Sequence, residues 1–167
     1  MGLTGRTVGV VGAGRIGKEL LRMARTFDVV LLAADPYVNA IELGYLGARK
    51  VDLDTLMAES DFVVVSCLLN DETRHLIGAE ELAAMKPTAT LVNTARGPIV
   101  DQAALVAALR SGHLDSAGLD VFDREPLGEE LAGLADVPGL VMLPHVGSAT
   151  AQTRGAMVDV AVDNILA

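Results

Sequence analysis

Gly12-Ala13-Gly14-Arg15-Ile16-Gly17 has the spacing G-x-G-x-x-G and follows a β-branched run, and an acidic residue, Asp35, stands 18 positions beyond Gly17. Each part of that pattern suits a dinucleotide. Gly12 allows a tight turn, Gly14 lets the backbone come close to a pyrophosphate, and Gly17 lets the following helix lie against the strand. The helix start presents free N–H groups and a partial positive charge to phosphate, and Arg15 adds a full one. Asp35 can accept from both ribose hydroxyls and repels a 2′-phosphate, which favours NAD over NADP. The bland readings are a ligand-free glycine turn and an aspartate that only caps the turn at Pro36.

Three further polar residues stand alone in apolar stretches: Arg96 in Asn93-Thr94-Ala95-Arg96-Gly97, Glu125 in Asp120-Val121-Phe122-Asp123-Arg124-Glu125-Pro126, and His145 in Leu143-Pro144-His145-Val146-Gly147. Singly, each is better explained as a surface residue than as a catalytic one. His75 and His113 have no acidic partner at a telling spacing and are expected at the surface or at helix ends. Cys67 has no base placed for it and is expected to be a small buried or cofactor-lining group. With one cysteine and no His-x-x-x-His, no metal site is expected.

These residues need elements to hold them. Arg6 to Val11 is a predicted strand, and Ile16, Leu20, Met23 and Phe27, spaced 4, 3 and 4 apart, predict an amphipathic helix after it. Val29 to Ala34 is continuously apolar and predicts a fully buried strand that stops at Asp35-Pro36. The alternation continues with a helix near Asn39 to Tyr45, a weak strand at Arg49 to Val51, a helix from Asp54 to Ala58, and a strand from Asp61 to Ser66. Next come a helix from Glu80 to Met85, a strand from Ala89 to Asn93, a helix capped by Asp101 and ended by Ser111-Gly112, and a strand from Ser116 to Val121. A polar loop from Asp123 to Pro138 leads to the strand Leu140 to Leu143 and a last helix with Met157, Val160, Ala161 and Ile165 on one side. Such alternation predicts one α/β domain of the Rossmann type: a doubly wound parallel sheet, three layers thick, with ligands at the carboxyl ends of its strands.

Composition sets the limits. The 167 residues are 51% hydrophobic and 21% charged, ample for one packed domain. Thirteen basic against 22 acidic side chains give a net charge of −9, a poor match for nucleic acid or anionic lipid. No apolar run approaches a membrane span, the first residues lack an export core, and the lone cysteine fits a reducing cytoplasm.

The chain from about Gly5 to Ala167 resembles the nucleotide-binding domain of the D-isomer-specific 2-hydroxyacid dehydrogenases, through its motifs at Gly12 to Gly17, Asn93 to Pro98, Gly118 to Pro126 and Pro144 to Thr150. The resemblance implies hydride transfer between NAD(H) and a 2-hydroxy or 2-keto acid. It implies that Arg96 grips the substrate carboxylate and keto oxygen, a task for a planar charged fork. His145 would then exchange a proton with the substrate oxygen, and Glu125 would orient the imidazole from its other nitrogen. It implies cofactor contacts at Gly12, Gly14, Arg15, Ile16, Gly17, Asp35, Cys67, Leu68, Thr94, Ala95, Asp120, His145 and Gly147, with Asp120 beside the nicotinamide carboxamide.

Leu68 stands where the family often has proline, which frees the loop near the nicotinamide. The family's split substrate domain, and the helix before the glycine loop that builds much of its dimer contact, are not in this sequence. The chain is therefore expected to bind NAD(H) but to turn over 2-keto acids poorly, with a homodimer left open. Two other functions fit in outline. An NAD(H)-responsive module akin to the family's transcriptional corepressor relatives would keep the same three residues. A short-chain dehydrogenase would need Tyr-x-x-x-Lys, which neither Tyr37 nor Tyr45 supplies.

Overall fold

The computed structural model describes residues 2–126, 128 and 130–166. Seven parallel strands, β1 (Arg6–Val11), β2 (Val29–Ala34), β3 (Ala48–Lys50), β4 (Phe62–Val65), β5 (Thr90–Asn93), β6 (Ser116–Leu119) and β7 (Leu140–Met142), form one sheet in the order β3-β2-β1-β4-β5-β6-β7. The order reverses beside β1. A crevice therefore opens there at the carboxyl ends, where the loops after β1, β2 and β4 diverge.

The helices are α1 (Arg15–Ala24), α2 (Ala40–Tyr45), α3 (Leu53–Glu59), α4 (Ala79–Ala84), α5 (Gln102–Arg110), α6 (Glu130–Leu134) and α7 (Ala151–Leu166). Among the described residues four start on side-chain caps: Asn39 accepts from the Glu42 N–H at 2.9 Å, Asp52 from Thr55 at 2.8 Å, Asp101 from Ala104 at 3.0 Å, and Thr150 from Thr153 at 3.1 Å. Each bond satisfies a donor that the first helical turn leaves unpaired. Gly112, with φ +73°, follows the C-cap of α5, the left-handed stop that glycine tolerates.

Alternation along β1 divides the core. Val8 and Val10 pack with Leu21 of α1 and Leu43 of α2, whereas Val11 joins Leu56 and Met57 of α3, Leu82 of α4 and Leu105 of α5. Helices thus lie on both faces of the sheet, as the doubly wound pattern predicts. The cover is uneven. Strands β4, β5 and β6 each alternate between buried and half-buried residues, and Val92 on the less covered face belongs to neither cluster.

The sequence reading needs correction at three places. In α1 the buried residues are Gly17 and Leu21, while Ile16 and Met23 are exposed and Phe27 lies beyond the helix end. Gly17 must abut the glycine loop, and that requirement rotates the predicted 16-20-23-27 stripe by one residue, about 100°, away from the sheet. In β2, Val30 is exposed near the strand start, so burial is complete only from Leu31 to Ala33. The expected loop 123–138 contains α6, whose five residues are too short to show a helical period; Leu127 and Glu129 of that loop lie outside the described residues, as do Met1 and Ala167 at the ends. Among the described residues, no helix is long and apolar enough to cross a membrane.

Candidate functional site

The glycine loop closes tightly around its neighbours. Gly12 has φ +89°, and a Cβ there would come within 2.5 Å of the Cys67 backbone, so only glycine fits. A Cβ on Gly17 would lie 2.2 Å from the Gly12 carbonyl oxygen. The close approach is therefore between the helix and the loop that precedes it. Gly14 differs from both. It caps α1 with no side chain of its own, and a Cβ there would meet nothing within 4 Å. The helix start, with its unpaired N–H groups, thus faces open space where a phosphate can approach.

Asp35 sits at the end of β2, directly across from this loop. One carboxylate oxygen accepts from the Ala13 N–H at 2.8 Å, and the other accepts from Tyr37 and Val38 at 2.8 and 3.1 Å. The aspartate therefore braces the glycine loop and also caps its own turn. Its oxygens retain lone pairs for hydroxyl donors. Ser66, which sequence reasoning passed over, is a second brace: its hydroxyl donates to the Gly12 carbonyl at 2.6 Å. The signal available was a hydroxyl residue ending an otherwise apolar strand.

Three adjoining cavities run along this edge. One of about 700 Å³ lies between Asp35, Pro36, Val51, Leu53 and Leu76. A second, of about 380 Å³, is lined by Gly12, Gly14, Asp35, Tyr37, Cys67 and Leu68, among others. A third, of about 330 Å³, joins Gly14, Arg15 and Ile16 to Cys67, Leu68, Thr94, Ala95 and Arg96. Burial pushes the Cys67 thiol up, with the Asp35 charge acting in the same direction, so the group is a neutral lining thiol. Exposed Leu68 stands at the cavity mouth, and its carbonyl accepts from the Thr73 hydroxyl at 2.6 Å, which ties down a loop that carries no proline.

Arg96, Glu125 and His145 come from the ends of β5, β6 and β7. Asn93, only 1% exposed, shapes the first of these loops: its amide donates to the Arg96 carbonyl at 2.9 Å and its carbonyl accepts from the Ala95 N–H at 3.0 Å. Gly97 then packs so closely that a Cβ would lie 2.0 Å from the Phe122 backbone, bringing the Arg96 loop against the Glu125 loop. Arg96 is exposed, with one guanidinium nitrogen donating to the Ala95 carbonyl at 2.6 Å and the rest of the fork available.

Glu125 accepts from the Phe122 N–H at 2.9 Å through one oxygen, and its other oxygen is 2.5 Å from Nδ1 of His145. Burial acts to raise the Glu125 pKa. The hydrogen bonds from His145 and Phe122, together with the charges of His145 and Arg96, outweigh it and hold the carboxyl below its ordinary value. With Nδ1 engaged, Nε2 is the imidazole nitrogen left for a reacting oxygen. The pair borders a cavity of about 420 Å³ with Phe122, Met142, Leu143 and Pro144.

Asp120, 4% exposed, does something the sequence did not suggest. Its two oxygens accept from the N–H groups of Val146 and Gly147 at 2.7 and 2.8 Å, pinning the loop that carries His145 in a left-handed conformation, φ 54°. Asp120 and Gly147 thus meet each other beneath the histidine. His75 is exposed, and the ring of His113 lies 3.1 Å from the Ala83 carbonyl.

Residues 1–147 match the model of the NAD binding domain of D-isomer specific 2-hydroxyacid dehydrogenases. Glyoxylate/hydroxypyruvate reductase B of Serratia proteamaculans is 45% identical over 163 residues, covering 97% of this chain and 50% of that protein. A solved structure from Thermus thermophilus superposes with a TM-score of 0.90 at 43% identity, covering 99% of this chain and 51% of that one. D-lactate dehydrogenase with NAD+ from Lactobacillus jensenii gives 0.88 at 28% identity, covering 97% and 52%. The chain spans about half the length of each of these relatives.

Proposed function

The chain belongs to the D-isomer specific 2-hydroxyacid dehydrogenases as an NAD-binding domain with NAD as its cofactor, and we propose that it is the cofactor half of an enzyme that interconverts a small 2-keto acid and its 2-hydroxy acid. The observation that carries this reading is the 2.5 Å His145–Glu125 pair, set on the same strand edge as a glycine loop open at Gly14. The names of the reductase relatives point to glyoxylate or hydroxypyruvate as the substrate.

Gly12, Gly14, Arg15, Ile16 and Gly17 would hold the pyrophosphate, Asp35 the adenosine ribose, and Cys67, Leu68, Thr94 and Ala95 the path toward the nicotinamide. NAD, when bound, supplies or accepts the hydride. Arg96 would hold the substrate carboxylate and keto oxygen, using donors its bond to Ala95 leaves free. During reduction His145 would deliver a proton from Nε2 to the substrate oxygen as it gains charge, and during oxidation it would take that proton back. Glu125 would fix the ring through Nδ1, leaving Nε2 turned to the substrate. Asp120 would act through the loop it pins, holding His145 at its station and Gly147 near the carboxamide.

The site is open on one side. We assign its missing wall to a substrate domain, supplied in the relatives by the half of their length that this chain does not span. Without that wall water is not excluded and turnover is poor. The test is glyoxylate-dependent NADH oxidation by the chain alone and by the chain fused to the substrate half of the Serratia reductase. The fusion is expected to turn over, the chain alone to fall below about 1% of it, and His145→Gln in the fusion to lose about 10²–10⁴-fold. A fusion that binds NADH but oxidises none with any 2-keto acid would overturn the assignment.

A further inference from the structure

The cavity that holds Asp35 and the glycine loop contains a second carboxylate, Glu72, with no part in the site described so far. Glu72 lies on the segment after β4, 35 residues from Tyr37, yet the Tyr37 hydroxyl donates to its Oε2 at 3.0 Å. Both ends of that bond are anchored. The Tyr37 N–H donates to Asp35 at 2.8 Å, and the Glu72 N–H donates to the Asn70 side chain at 3.0 Å in a turn further tied by Thr73. The bond therefore spans the crevice beside β1, from the loop after β2 to the loop after β4, and keeps Glu72 in the same cavity wall as Asp35. Two cations border the adjoining cavity, but Arg49 is paired with Glu59, and the Lys50 ammonium donates to the Val38 carbonyl at 2.6 Å.

We propose that Glu72, held in place by Tyr37, is a second residue that selects the dinucleotide, its carboxylate acting with that of Asp35 to keep a 2′-phosphate out of the adenosine end of the site. A 2′-phosphate brings a charge of about −2, and a carboxylate in the same small cavity repels it whether or not the two touch. NAD carries hydroxyls at that position and meets no such penalty. The inference rests on the NAD site proposed above.

The experiment compares the ratio of NADPH to NADH dissociation constants, read from nicotinamide fluorescence, for the wild-type chain and for Glu72→Gln and Tyr37→Phe. Glutamine keeps an acceptor for Tyr37 while removing the charge, and the ratio is expected to fall about fivefold at low salt. Phenylalanine keeps the charge but releases it, and its ratio is expected to lie between the other two. The difference between wild type and Glu72→Gln should shrink at about 0.5 M NaCl, a response that loss of structure alone would not produce. A ratio unchanged in Glu72→Gln, or two affinities that move together, overturns the selecting role while leaving the NAD site standing. A wild-type chain that prefers NADPH, or binds neither nucleotide, overturns both.

Discussion

Glycine is used three ways within six residues, and the three uses separate under mutation. Gly17→Ala forces a methyl group to 2.2 Å from the Gly12 carbonyl and should destabilise the chain by about 1–3 kcal/mol in urea denaturation. Gly14→Ala meets open space and should cost less than about 1 kcal/mol, the scale of an N-cap change, while weakening NADH binding more than about tenfold in a titration. Equal effects of the two changes on stability would refute this division. At the other end of the site, Glu125 has a pKa held below its ordinary value in the folded chain, so the unfolded state binds protons first as pH falls. Its stabilising contribution is therefore present above the ordinary carboxylate range and is lost as pH drops through the lowered folded value. Wild type and Glu125→Gln should differ in urea midpoint at neutral pH and converge in acid. The residues Gly12, Asp35, Arg96, Glu125 and His145 stood out in the sequence because their types and spacings are unusual in apolar surroundings. Asn93, Ser66 and the bracing half of Asp35's role did not, because a side chain that satisfies backbone N–H and carbonyl groups leaves no period or motif behind.

At the scale of elements, the strands were legible because buried parallel strands are continuous apolar runs, and the start of α5 because Asp101 is a cap residue in front of an apolar period, whereas the Asp52 cap that starts α3 at Leu53, ahead of the expected Asp54, was not singled out. Asp101→Ala should lower stability by about 1 kcal/mol, with little change in NADH affinity, because the cap bond is made within the first turn of α5 and involves no residue of the glycine loop. What sequence pattern misjudged was orientation. The stripe through Ile16, Met23 and Phe27 has a good helical period, yet the contact that decides how α1 sits is the packing of Gly17, a residue with no hydrophobic signal. Backbone proximity outweighed apolar periodicity there. Helix α6 escaped notice for a different reason, since five residues make little more than one turn.

Across the whole molecule, the covered and uncovered regions match the division of labour proposed for the chain. Strands β1 and β2 are packed from both sides, whereas β4 to β6 are fully covered on one, and none of the described residues of α7 is buried although Val158, Val160 and Ile165 are apolar. A 16-residue helix without a packed face is marginal in water. Amides of α7 should therefore exchange rapidly in the chain alone, while those of β1 and β4 are the slowest, and fusion to a substrate domain should slow α7. Protection of α7 equal to that of the sheet in the isolated chain would count against this. Whether the crevice beside β1 is a working NAD site is decided by a calorimetric titration of the chain with NADH and NADPH, repeated with Asp35→Ala. Saturable NADH binding, weaker NADPH binding and loss of that preference in the variant are the predicted result. A folded chain that binds neither nucleotide would contradict it.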